Sequence, residues 1–309
     1  MSQPCAVVAF AVSPDEEATA SVLDLVEGTG ATVESHNWVR VTGSASDDRA
    51  ADVEGYNALT VHVHSDDPVG LRRTLRPDPQ SQLLPGMDLN VVDARWMDQS
   101  RKKLVVTDVD STLIRQEVIE LLAAHAGREA EVAAVTERAM RGEIDFEESL
   151  RERVAVLAGL PAEVVGDVAR SVRLSPGAQA LVRTLLREGH AVAAVSGGFV
   201  QVLEPLAASL ELTRAAANTL EVVDGHLTGR VTGRVVDGAA KAELAARWAG
   251  ELGVAPEDVV VVGDGANDVA LARTAGLSVA YRAKPALREV ADTQLNIPNL
   301  DALRFLLGL

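Results

Sequence analysis

Two aspartates one residue apart, Asp108 and Asp110, follow the apolar run Leu104-Val105-Val106, and a second acidic pair, Asp264 and Asp268, follows Val259 to Val262. Carboxylates at the carboxyl ends of buried strands stand where open α/β sheets place their ligand sites. Anions so placed repel one another unless they share a proton or bind a cation. Oxygen donors without histidine or cysteine suit Mg²⁺, which keeps part of its water and bridges to phosphate. Between the two acidic groups, Ala191 to Val195 runs into Ser196-Gly197-Gly198, a hydroxyl beside unobstructed backbone N–H groups that suit an anion. Lys241, in Gly238-Ala239-Ala240-Lys241, opens a helical pattern and could neutralise phosphate oxygens. Each piece alone fits an exposed turn or a solvated side chain as readily as a site. Together they suit a phosphate held beside a divalent cation.

These residues need elements to carry them. The runs Leu104 to Val106, Ala191 to Val195, Val259 to Val262 and Leu277 to Ala280 alternate with helical patterns, which predicts a parallel sheet of Rossmann-like α/β type. The stretch from Leu113 to Arg173 is helical in pattern, rich in Ala, Glu and Arg, and too long for an ordinary crossover. It is expected to form a helical cap inserted after the first strand, at about 113–173. Upstream, a strand over Cys5 to Val12 precedes a helix opened by Pro14 to Glu17, and Thr32 to Val41 is β-rich. Leu59, Val61 and Val63 alternate with Thr60, His62 and His64, which places both histidines on the solvent side of a strand. A helix over Pro68 to Leu75 and a strand over Met87 to Ala94 complete β-α-β-β-α-β, the ferredoxin-like order. The division expected is an α+β domain over residues 1–97 and the α/β domain over 98–309.

Composition agrees with two ordinary cores. The 309 residues are 47% hydrophobic and 24% charged, close to the soluble globular average. Residues 1–99 hold sixteen acids against six arginines and no lysine, hence −10 of the total −16, so the charge steps near Met97 to Lys103. Such a field repels polyanions, which disfavours nucleic acid and acidic membrane surfaces as partners. A single cysteine, Cys5, excludes an internal disulfide and fits a reducing compartment. The start has no basic region before its short apolar run, and a cytoplasmic protein is expected. His125, His190 and His226 match no motif, and Trp38 and Trp96 are assigned to packing.

In chain order, Asp108-Val109-Asp110-Ser111-Thr112, Ser196, Lys241 and Gly263-Asp264-Gly265-Ala266-Asn267-Asp268 resemble the signatures of the haloacid dehalogenase-like phosphatases. Leu113 and Glu117, the segment Phe146-Glu147-Glu148-Ser149-Leu150-Arg151-Glu152-Arg153-Val154, and Val195-Ser196-Gly197-Gly198-Phe199 extend the resemblance to the phosphoserine phosphatase branch, over about residues 103–308. The first domain is similar to the ACT fold, also seen in bacterial members of that branch. The resemblance implies Asp108 as nucleophile and Asp110 as general acid and base. It implies Mg²⁺ held by Asp108, the Asp110 carbonyl and Asp264, with Asp268 and Asn267 beside the ion and the phosphate. Ser196, Gly197 and Lys241 are expected to grip phosphoryl oxygens. Glu117 should pair with a substrate ammonium and Arg153 with its carboxylate, while Phe146 and Met140 supply an apolar wall. The substrate so implied is O-phospho-L-serine, split in the last step of serine biosynthesis, with phosphothreonine or phosphohomoserine as alternatives. A non-enzymatic phospho-acceptor module is the reading from another class. Amino-acid-binding ACT domains carry a glycine in the turn after their first strand, whereas Ala11-Val12-Ser13-Pro14-Asp15-Glu16 has none. A scaffold or dimer-forming role is therefore expected for that domain, in a homodimer.

Overall fold

The apolar runs become two sheets. The structure, a computed structural model, describes residues 2–12, 16–42 and 55–309. The first sheet is antiparallel, ordered β2 (Thr32–Val41), β3 (Tyr56–Ser65), β1 (Gln3–Ala11), β4 (Met87–Asp93), with α1 (Glu16–Glu27) and α2 (Pro68–Leu75) between them in the chain. This is the ferredoxin-like order expected. Of the turn without glycine, Ser13 to Asp15 lie outside the described residues. His62 is exposed, and His64 pairs with Glu34 at 3.0 Å.

Seven strands form the second sheet: β11 (Thr293–Leu295), β10 (Leu277–Tyr281), β9 (Val259–Gly263), β5 (Leu104–Thr107), β6 (Ala191–Phe199), β7 (Arg214–Val223) and β8 (His226–Thr232). All neighbours are parallel except β7 and β8, which make a hairpin. The central strand β5 is buried at all four positions, as a parallel strand covered on both faces must be. Between β5 and β6 come α3 (Val118–Ala126), α4 (Glu129–Met140), α5 (Phe146–Ala155), α6 (Glu163–Ser171) and α7 (Ala178–Arg187). The first four occupy the stretch expected to be a cap. Its two ends close on each other through an Ile114–Leu174 bridge and the Arg115 N–H to Arg173 carbonyl bond at 2.9 Å. The remaining helices are α8 (Val200–Ser209), α9 (Gly238–Leu252), α10 (Val269–Ala272), α11 (Pro285–Arg288) and α12 (Leu303–Leu306).

Three strands lie outside the four runs named from the sequence. β7 opens Arg-Ala-Ala-Ala, which carries no strand preference, and β11 has only three residues. β8 is half exposed. Tertiary pairing, not local propensity, makes them strands.

β1 is buried on both faces. Cys5, Val7 and Ala9 face the α1 and α2 side, while Ala6, Val8 and Phe10 share a core with Trp96, Leu303 and Phe305. The Phe10 and Tyr56 rings stand edge-on to Phe305, with centroids 6.3 and 6.1 Å away. At the sheet edges, the Asn90 carboxamide bonds both backbone groups of Gln294, at 3.0 and 2.8 Å, as a neighbouring strand would. The Asp88 carboxylate, 3% exposed, accepts from the N–H groups of Asn296 (2.6 Å) and Ile297 (3.3 Å). Among the described residues, no helix is long and apolar enough to cross a membrane.

Removing that carboxylate strands two backbone donors, that of buried Ile297 and that of half-buried Asn296. Asp88→Ala is expected to lower unfolding free energy by about 2–3 kcal/mol in urea titrations. A loss below about 0.5 kcal/mol, the level of an ordinary surface substitution, would show that the seam contributes nothing.

Candidate active site

The carboxyl ends of β5, β6 and β9 meet under the cap helices, and a cavity of about 830 Å³ opens between them. Asp108 follows β5 directly, with its N–H bonded to the Val262 carbonyl of β9 at 2.8 Å, so the two strand ends are tied. Beyond it the chain makes a wide turn in which Ser111 takes φ +56°, a left-handed conformation that non-glycine residues rarely hold. The Ser111 hydroxyl donates to Glu117 at 2.7 Å and helps fix that turn.

The turn delivers Asp110 to the N-terminus of α3. One of its oxygens accepts the Val118 N–H at 2.7 Å and the other accepts the Ser196 hydroxyl at 2.9 Å. Burial, and next the nearby Glu117 charge, push its pKa up to about 6 despite those donors. That is a useful value for a group that must both give and take a proton near neutrality.

Lys241 is fully buried, one turn into α9, whose start is capped by the Asp237 side chain on the Ala240 N–H at 2.8 Å. Its ammonium donates to Asp108 at 2.6 Å and to Asp268 at 2.7 Å. Burial alone would lower its pKa, but the two carboxylates more than offset that and hold it charged. Asp108 is displaced in the opposite sense: burial and then Asp268 raise its pKa well above the carboxylate range, with Lys241 opposing. Asp268 also accepts the N–H groups of Asp264 and Gly265 at 3.2 Å. That approach requires a glycine at 263, where a Cβ would stand 2.4 Å from the Asp268 carboxylate.

One carboxylate oxygen each from Asp108, Asp264 and Asp268 lies within 4.8 Å of the others, and all three residues are buried. Three anionic oxygens with no sulfur or imidazole fit a hard divalent cation. Asp110 directs its carboxylate elsewhere, towards Ser196 and α3.

Of the other residues expected at the site, Glu117, Arg153, Gly197, Asn267 and Phe146 line the cavity together with Asp108, Asp110 and Asp264. Arg153 pairs with no carboxylate among the described residues and donates its Nε to the Ser149 carbonyl at 3.2 Å. Phe146 lies over Gly197, where a Cβ would come 2.7 Å from the ring. Ser196, Lys241 and Asp268 sit beneath the cavity surface rather than on it, reaching it through Asp110 and Asp108. Met140 ends α4, and its side chain lies outside the described residues.

Two residues went unnamed in the sequence. Lys284, after the end of β10, lines the cavity with its ammonium 3.5 Å from Asp264 and its N–H on the Asp264 carbonyl at 2.7 Å. Its position beyond a recognised strand was the available signal. Asn218, in β7, bonds the Gly197 carbonyl at 2.8 Å. Its strand was not recognised, so nothing marked it.

The family model of the haloacid dehalogenase-like hydrolases matches residues 105–273. A phosphoserine phosphatase of Streptomyces coelicolor is 57% identical over 224 residues, 72% of this chain and 54% of that protein. The chain spans about half the length of the first curated relatives it matches. A solved phospho-aspartyl intermediate analogue of phosphoserine phosphatase is 42% identical with TM-score 0.63, covering 66% of this chain and 99% of that one. An unliganded probable phosphoserine phosphatase of Vibrio cholerae is 32% identical with TM-score 0.73, covering 98% and 86%.

Asp264 supplies a test of the site's electrostatics. Burial raises its pKa to about 6 from an ordinary 3.8, with Lys284 opposing. Between those values the folded protein keeps a proton that the unfolded chain releases, so stability falls as pH rises through the window. In metal-free protein, Asp264→Asn should therefore melt higher than wild type at about pH 7.5, and the gap should close by about pH 4. A gap that stays constant across that range would refute the raised pKa.

Proposed function

The chain belongs to the haloacid dehalogenase-like hydrolase family, and from that premise we propose that it hydrolyses O-phospho-L-serine to L-serine and phosphate through a phospho-enzyme on Asp108. The observation that carries this reading is the convergence in one cavity of Asp108, Asp110, Glu117 and Arg153. Two carboxylates at a strand end serve any phosphoryl transfer, but on the cap side an acid and a guanidinium with no carboxylate partner among the described residues match the two charges of an amino acid.

Lys241 holds one oxygen of Asp108 and leaves the other to attack phosphorus. The serine alkoxide is a poor leaving group, and Asp110, with its pKa near 6, delivers the proton as the P–O bond breaks. Asp110 then takes a proton from water, which attacks the acyl phosphate and returns Asp108 and free phosphate. The Gly197 and Gly198 backbone lies beside the phosphoryl oxygens, and Lys241 neutralises charge on the Asp108 side. Mg²⁺, held by Asp108 and Asp264 with Asp268 behind them, supplies positive charge against the phosphoryl group when bound. Phe146 over Gly197 keeps water from the reacting end.

Phosphothreonine or phosphohomoserine is the second substrate on this reading, since a methylene gives only about 1–3 kcal/mol of discrimination. A phospho-acceptor signalling module would have no use for an acid aimed at a leaving alkoxide.

A phosphate-release screen over small phosphorylated amino acids, with and without Mg²⁺, tests the proposal. Phosphoserine should be cleaved fastest and only with the metal; release that ignores Mg²⁺ would overturn it. Asp108→Asn should abolish turnover and phospho-enzyme while leaving the melting transition in place, and retained turnover would remove Asp108 from the chemistry. Arg153→Ala should reduce kcat/KM for phosphoserine by roughly 10²-fold and spare a phosphate ester that lacks a carboxylate. Equal losses on both would refute the carboxylate contact.

A further inference from the structure

β6 and β7 pair in parallel through Val195 and Ala216, lose register, and meet again at Phe199 and Asn218. The residues that leave the ladder are Ser196, Gly197 and Gly198, the segment beside the proposed phosphoryl group. A gap in a ladder leaves backbone groups to be satisfied some other way. Asn218, 2% exposed, satisfies one of them, the Gly197 carbonyl. Its Nδ2 donates to the Gly197 carbonyl at 2.8 Å and its Oδ1 accepts the Val236 N–H at 2.8 Å. Val236 stands one residue before the Asp237 cap of α9, the helix that carries Lys241.

The bond at Gly197 has consequences further along. Holding that carbonyl fixes the Gly197–Gly198 peptide plane, and the N–H on the other side of the plane donates to the Ser196 hydroxyl at 2.7 Å. With Gly198 donating to it, the Ser196 hydroxyl turns its single proton towards Asp110, 2.9 Å away. Asn218 thus starts a row of aligned bonds that ends on the Asp110 carboxylate, and such rows strengthen one another.

We propose that Asn218 is a positioning residue for the hydrolytic reaction: by clamping the Gly197 carbonyl to the start of α9, it orients the Ser196–Gly198 segment and, through Ser196, the Asp110 carboxylate. The inference rests on the reading of Asp110 as the acid and base. Asn218 touches no reacting atom, and its effect falls on the chemical step more than on binding of the amino-acid part, which Glu117 and Arg153 hold.

Asn218→Asp isolates the donor. Ionised, the carboxylate still accepts the Val236 N–H at similar volume but has no proton for Gly197, and because burial favours the protonated acid the assay is run well above neutrality to keep it ionised. With phosphoserine and Mg²⁺, kcat is expected to fall about tenfold or more while KM changes by less than about threefold. Asn218→Ala, with both bonds removed, should fall at least as far. A melting temperature lowered with kcat per folded molecule within about twofold of wild type would reduce Asn218 to a packing residue and overturn the proposal. Hydrogen exchange, read by mass spectrometry on unliganded protein, probes the clamp independently of turnover. Exchange over residues 196–199 should accelerate in Asn218→Asp while α3 stays protected, and unchanged exchange there overturns the clamp. If wild type releases no phosphate from any of these esters, the proposed function fails, and the exchange measurement alone decides what Asn218 holds.

Discussion

A fully buried ammonium between two buried carboxylates is the contact on which the site is built. Lys241 stays charged because Asp108 and Asp268 surround it, and those two can approach because Lys241 lies between them. The balance is incomplete. Asp264 brings a further buried carboxylate to the same few ångströms, and the exposed Lys284 answers it at 3.5 Å. Burial is the first cause of the raised pKa values of Asp108, Asp110 and Asp264, and neighbouring carboxylates add to it, Asp268 at Asp108 and Asp264 and Glu117 at Asp110. A hard divalent cation held among these oxygens would offset that excess of negative charge.

The backbone makes the arrangement possible. Parallel strands end together, so residues more than 150 positions apart become neighbours once β5 and β9 pair, as Asp108 and Asp264 do. This part was legible in the sequence because apolar runs followed at once by acids, glycines or a hydroxyl mark strand ends without knowledge of their order. Burial was less legible. Lys241 and Ser196 were expected at the phosphate surface and lie behind Asp108 and Asp110, since a local pattern names a residue type but not its depth. Asn218 was invisible for a related reason, and Lys284 had its place beyond β10 as its signal. An amide in an alanine-rich stretch carries no pattern, and the register shift in β6 and the loop after β10 give the two residues their partners.

The first sheet was legible in order and nearly so in boundaries, but not in its attachment. Alternation along β1 and β3 shows that one face is buried against helices, and it does not say what covers the other. Here Phe10, Tyr56 and Val92 pack on the chain's last helix, and the Tyr56 hydroxyl reaches Asp301 at 3.1 Å. Asn90 completes the edge of β11 with a side chain instead of a strand, which closes an otherwise open sheet edge. Arg76 and Gln80 continue the contact onto the segment around α11, bonding the backbone at Asp292 and Pro285. The first sheet is therefore part of one continuous core rather than a tethered appendage.

The cap is held with similar economy. Its base is tied where Ser175 N–H meets the Leu113 carbonyl at 2.9 Å, and its far side rests on the β7–β8 hairpin through Gly159 and Leu160, both bonded to Leu227 at 2.8 Å. That hairpin thus has two duties. Through Leu227 it supports the helices that present Phe146 and Arg153, and through Asn218 it supports the segment beneath Phe146. The cap side chains and the Ser196–Gly198 segment lie on different parts of the chain, yet both rest on the same two strands. The hairpin's own register, which shifts between Leu220 and Val222, therefore bears on both placements.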